Sequence, residues 1–210
     1  MMSRKNITTQ EAILEATHKL LKEKGNVTIK EISDEAFVNI AAINYHFRSK
    51  DDLLQIVIER SITDLRQSIV DIIVTYDESS ESFESLMGRL IELIFNFAED
   101  NIGIINYSFL QIATKSQTQN VLVDFFLADD QFTKLIFEHL QGAFPDATHE
   151  QIYAKYLIIF SSFAVPFFLS FSLLHETNNL SNSSHEYRSS YIEKYRDDYI
   201  EELRKILTPR

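Results

Sequence analysis

The stretch TIKEISDEAFVNIAAINYHFRSK, Thr28 to Lys50, constrains this chain more than any other part of it. It packs three helix-start signals into a short run. Thr28 stands three residues ahead of Glu31 and just before the apolar series Ile29, Ile32 and Ala36. That is a capping box, in which hydroxyl and carboxylate each satisfy a backbone N–H of the other residue. Asn39 is a good N-cap for a second short helix, whose inner face would carry Ile43 and Phe47. Ser49 can then cap a long helix that starts at Lys50. Two very short helices joined by a tight turn form a helix-turn-helix, and the second of them is slim enough for a DNA major groove.

The segment resembles the DNA-binding motif of TetR-family transcriptional regulators. The matching residues are Thr28 and Ile29, Ile32, Ala36, Val38, then Ile43, Tyr45, His46 and Phe47, then Ser49-Lys50, Asp52 and Leu53, without gaps. A short helical pattern alone is weak evidence. The run INYHFRSKDDLL, at this distance from a capped first helix, is specific. The resemblance covers about residues 9–55. It implies an N-terminal DNA-binding head, a larger helical body that binds a small effector, and a dimer. Two positions depart from the family pattern. Phe37 stands where a turn glycine is usual, so a left-handed turn there would be strained. Asn44 stands where tyrosine is common, which shifts one position from phosphate clamping towards base reading.

Charge distribution agrees with a two-part chain. The 210 residues carry a net charge of −11. Residues 1–50 hold eight Lys or Arg against six Asp or Glu, and residues 51–210 hold twelve against twenty-five. A mildly basic head on an acidic body offers one end to DNA and keeps the other off it. With 45% hydrophobic residues, four glycines and three prolines, the chain is too apolar for disorder and too poor in turn residues for an all-β fold. Cysteine is absent, which removes disulfides and thiolate metal sites and fits a reducing cytoplasm. No basic-then-apolar leader stands at the N-terminus. The longest apolar-rich stretch, Tyr156 to Leu174, contains four serines and Pro166, a poor membrane span and a good buried helix.

Periodicity predicts an all-α fold of about nine helices, with a helix-turn-helix head at residues 1–50 and an effector-binding and dimerisation body at 51–210. A first helix should run from about Thr9 to Lys24, opened by a Thr8/Glu11 capping box and stopped by Gly25. Its face of Ile13, Ala16, Thr17, Leu20 and Leu21 would pack on Ile29, Ile32, Ile43 and Phe47. Lys50 to about Tyr76 reads as one long helix, followed by a boundary at Tyr76 to Ser82. Further helices are expected over about Ser82–Ala98, Ile102–Ala113 and Thr118–Gly142, the last interrupted near Asp129-Asp130. Glu150 to Leu174 is apolar nearly all round, so it should be buried on more than one side, with Pro166 loosening a turn. Ser184 to Leu207 closes the chain.

Candidate DNA contacts follow from chemistry. Asn44 carries a donor and an acceptor and can pair with an adenine edge, while Ala41 and Ala42 can lie against thymine methyls. Tyr45 and His46 are hydrogen-bonding aromatics suited to phosphate oxygens, as matching positions in the family are. Thr28, Asn39 and Lys50 sit at helix N-termini, where hydroxyl, amide, free N–H groups and an ammonium can hold phosphates. For Thr28 and Asn39 simple capping is an equal reading, and Tyr45 and His46 could merely pack the head. The helix contains no Arg or Lys, so strong guanine contacts are not expected.

The body is rich in aromatics, with sixteen phenylalanines in the chain. Phe95, Tyr107, Phe109, Phe126, Phe160, Phe163 and Phe167 could line an apolar effector cavity, with Asn106, Gln111 and Ser161 orienting the ligand. For any single phenylalanine ordinary core is the simpler role. The last two helices are the expected dimer surface, through Tyr156, Phe160, Phe168, Tyr191, Tyr195, Tyr199 and Leu203. Catalysis has no support. The six histidines include no pair at metal-ligand spacing, and no phosphate loop or nucleophile elbow occurs, so neither cofactor nor metal is expected. The sequence therefore reads as a homodimeric regulator of a double-stranded DNA operator, a repressor released by a small apolar effector, with no membrane association. The alternatives are a regulator whose body answers to a protein partner and, more remotely, an all-α carrier or enzyme.

Overall fold

The structure is a computed structural model that describes residues 8–24, 26–77, 79–113 and 128–159, with 161, 198 and 201–202. The described residues form helices and turns and contain no strand. In chain order the helices are α1 (Thr9–Lys24), α2 (Ile29–Ala36), α3 (Ile40–His46), α4 (Lys50–Val74), α5 (Phe83–Asp100), α6 (Ile102–Ala113) and α7 (Gln131–Ala143). An eighth, α8, covers 149–159. No helix among the described residues is long and apolar enough to cross a membrane.

The start signals of the first helices operate as local chemistry dictates. Thr28 accepts from the Glu31 N–H at 3.2 Å and donates its own N–H back to the Glu31 carboxylate at 2.8 Å, a complete capping box. The Asn39 side chain accepts from the Ala42 N–H at 2.7 Å, and Ser49 accepts from Asp52 N–H at 3.0 Å. At α1 only half of the expected box forms. Thr8 accepts from the Glu11 N–H, but the Glu11 carboxylate reaches the Arg60 guanidinium on α4 at 2.9 Å. A guanidinium outbids a backbone amide for a carboxylate because its hydrogen bond is charge-assisted at both ends.

The expected helix over Thr118–Gly142 begins, as far as it is described, at Gln131. Asp130 is its N-cap and accepts from the Thr133 N–H at 3.0 Å. Residues 114–127 lie outside the described residues, as do the later part of the expected Glu150–Leu174 helix and most of the Ser184–Leu207 one.

The chain divides into two compact units, Met1–Asp64 with Glu99–Asp124, and Leu65–Ala98 with Phe125–Arg210. In the first unit α1 packs on α2, α3 and α6. Ile13, Leu21, Ile32, Ile43, Leu53 and Ile104 are all essentially inaccessible there. Each such side chain contributes about 1.5–3 kcal/mol of transfer free energy. Thr17, buried among them, satisfies its hydroxyl on the Ile13 carbonyl at 2.7 Å. The second unit centres on Leu140, Ile152 and Tyr156, with Phe83, Phe137 and Phe144 packed around them. Within that unit Arg66 pairs with Asp130 at 2.6 Å and lies over the Phe132 ring at 5.0 Å.

Candidate nucleic-acid interface

The turn between α2 and α3 sets the direction of the recognition helix. Phe37 closes α2 with φ 55°, the left-handed region normally left to glycine. The Val38 N–H bonds the Ser33 carbonyl at 3.1 Å, the six-to-one closure of a Schellman turn. The Ser33 hydroxyl donates to the Val38 carbonyl at 2.6 Å and locks the same turn from inside. The Phe37 side chain does not pack on the head and is 95% exposed.

On α3, Ile43 is buried and Phe47, which follows it, is also buried. Their burial turns Ala41, Asn44 and Tyr45 outward, with Ile40 at the edge of that face. Tyr45 is 85% exposed and stands edge-on to His46, ring centres 5.2 Å apart. His46 and Ala42 are partly covered. Pure packing is thereby removed as the role of Tyr45.

The candidates at helix N-termini differ in how free they are. Thr28 spends its N–H, and donates its hydroxyl at 2.8 Å, on the Glu31 carboxylate, which occupies the anion position of α2. Lys24 bonds the same carboxylate at 2.8 Å, and Lys24 with both Thr28 groups holds the Glu31 pKa at about 2. Lys50 is partly exposed and donates to the Asn26 side chain at 3.3 Å, a neutral partner that leaves its charge uncompensated. Two further cations were not among the expected contacts. Lys30 on α2 and Arg48 between α3 and α4 are exposed and have no carboxylate partner among the described residues. By contrast Lys19 and Lys24 are paired with Glu35 and Glu31. Sequence could have suggested Lys30 and Arg48 by their flanking positions, but not that their neighbours would be the ones neutralised.

Residues 13–57 match the model of the family described as bacterial regulatory proteins, tetR family. The chain carries the DNA-binding domain of a TetR-family transcriptional regulator. Among solved structures, a HlyIIR mutant protein with a segment replaced by a GSSGSSG linker shares 18% identity over 96% of each chain, with TM-score 0.57. A Shewanella sp. PV-4 chain assigned to the tetR family transcription regulators shares 20% identity over 90% of this chain and 96% of its own, with TM-score 0.49. No curated protein matches the chain. The HlyIIR likeness extends the TetR-like all-helical fold beyond the matched head.

Of the expected effector residues, some fall in each compact unit and others lie outside the described residues. Phe95 is buried in the second compact unit, whereas Asn106 and Tyr107 belong to the first. Tyr107 points its hydroxyl at Asp51, 3.5 Å away, in the first turn of α4. Ser161 is exposed and donates to the Ile158 carbonyl. The side chains of Phe109, Gln111, Phe126, Phe160, Phe163 and Phe167 lie outside the described residues, as do Phe168, Tyr191, Tyr195, Tyr199 and Leu203 of the expected dimer surface. Tyr156, assigned to that surface, is instead 4% exposed and sits in the core of the second unit.

The second unit does contain an apolar cavity of about 70 Å³, lined chiefly by aliphatic side chains such as Ile73, Leu86, Leu90, Ile91 and Ile136. His139 and Tyr156 bring the polar atoms nearest to it. His139 bonds the Leu135 carbonyl through Nδ1 at 2.9 Å, and burial pushes the Tyr156 hydroxyl pKa up, so it stays protonated. The aliphatic spacing on α5 is legible in the sequence as a helix face, whereas the space it borders is not.

Proposed function

We propose that this chain is a non-catalytic, cytoplasmic, homodimeric repressor that binds a near-palindromic operator and is released by a small apolar molecule. Residues 1–50 bind DNA, and residues 51–210 bind the effector and form the dimer. The observation that carries the DNA half is the outward face of α3, flanked by cations that no carboxylate neutralises. Asn44 and Ala41, with Ala42 beside them, meet base edges. Tyr45, His46, Asn39, Lys50, Lys30 and Arg48 meet phosphates, and Thr28 joins them when a phosphate displaces the Glu31 carboxylate.

The aliphatic cavity supports the effector half. Drug-sized ligands occupy about 300–1,000 Å³, so a larger effector must spread the helices around this smaller space. That spreading changes the spacing of two heads in a dimer and lowers operator affinity. The test is binding to DNA upstream of the chain's own gene, followed by fluorescence anisotropy. Lys50→Ala weakens binding, and Tyr45→Ala with His46→Ala weakens it by at least tenfold. Unchanged affinity in the double variant refutes the site.

A further inference from the structure

We infer that α3 reads A·T base pairs, through thymine methyl groups and one adenine edge, so that each operator half-site is A·T-rich where this helix lies. The inference rests on the DNA-binding reading and names the class of sequence it recognises.

The outward face of α3 is unusual in what it lacks. From Phe37 to Phe47 no Arg or Lys occurs, so nothing can fork onto the O6 and N7 acceptors of guanine. No Asp or Glu occurs either, so nothing accepts from the cytosine amino group. Apart from Tyr45 and His46, assigned above to phosphates, what α3 offers to base edges is hydrocarbon and the Asn44 amide. Ile40 is 45% exposed and Ala41 is exposed. The one apolar group on a major-groove edge is the thymine methyl. Asn44 is exposed, and no described residue bonds its amide, leaving a donor and an acceptor to match adenine N6 and N7.

Exclusion strengthens the preference. A G·C pair against Ile40 and Ala41 would lose water from its polar edge and gain no partner, which is costly. The uncompensated cations Lys30, Arg48 and Lys50 all lie outside α3, at positions assigned above to the phosphate backbone.

The experiment selects bound duplexes from a random library with the full chain, then replaces each thymine of the best site by deoxyuridine. That change removes the methyl group alone. A·T-rich half-sites are expected, with affinity falling about fourfold for each contacted methyl, the equivalent of one buried carbon. Ile40→Ala should lower the deoxyuridine penalty at one position, and Asn44→Ala should erase the preference at one adenine with an unchanged melting temperature. Half-sites centred on G·C pairs, or duplexes that bind equally well with deoxyuridine, overturn the inference while leaving DNA binding intact. A library without any enrichment overturns both.

Discussion

Phe37 holds a left-handed backbone without any burial of its ring to offset it. A non-glycine residue loses about 1–2 kcal/mol in this region, whereas glycine costs about 0.4–1 kcal/mol through the unfolded chain. Phe37→Gly should therefore stabilise the protein by roughly 0.5–1 kcal/mol in urea unfolding. A loss of stability would mean that the ring has a covering partner. Glu31 makes the opposite case, a residue whose Thr28 capping partner was legible, though its Lys24 partner was not. Its carboxyl is lowered from 4.5 to about 2, first by Lys24 and then by the two Thr28 groups. A depressed carboxyl stabilises above its unfolded value and loses that contribution as pH falls through the folded one. The α2 signal in an NMR titration should loosen between pH 4.5 and about 2, and Glu31→Gln should flatten that transition. The Thr28/Glu31 box was legible because its partners are three residues apart. Glu11 was misread because Arg60, its partner, lies 49 residues away, and local spacing encodes no such pairing.

Helix starts were the most legible elements, since capping is a local bargain between a short polar side chain and nearby N–H groups. Asp130 caps α7 and also receives Arg66. Burial pushes its carboxyl up, yet the Thr133 N–H and Arg66 outweigh that and hold it below the ordinary value. Asp130→Ala should cost about 1–2 kcal/mol, read from the thermal midpoint, because the cap is lost together with the charged contact. The wild-type contribution should fade on acidification below the ordinary aspartate range. The acid pair Asp129-Asp130 marked the start of α7 in the sequence. The cavity was less legible for a physical reason. Helical spacing shows which side chains face inward, but not whether opposing helices fill the space between them.

For the whole molecule, the proposed dimer makes a charge-dependent prediction. Were Lys30, Arg48 and Lys50 on each of two heads to meet phosphates, about six contacts would result, and log affinity should fall with log salt at a slope of roughly −5. Lys30→Ala with Arg48→Ala should flatten that slope by about 3 to 4 in anisotropy titrations at stepped salt. A slope unmoved by the double variant would place both cations away from DNA. The helix starts of the head were legible in sequence, whereas the unit that contains it was not, because α6 joins α1 through contacts made across a long stretch of chain.

The packing of α1 on α6 has a consequence for biosynthesis. At about 5–20 residues per second, roughly 5–20 s separate the translation of α1 from that of α6. During that interval the nascent chain lacks α6, the helix that will later cover one side of α1. Chaperones meet that side as an unfinished surface, and a fragment cut before α6 would keep that surface permanently.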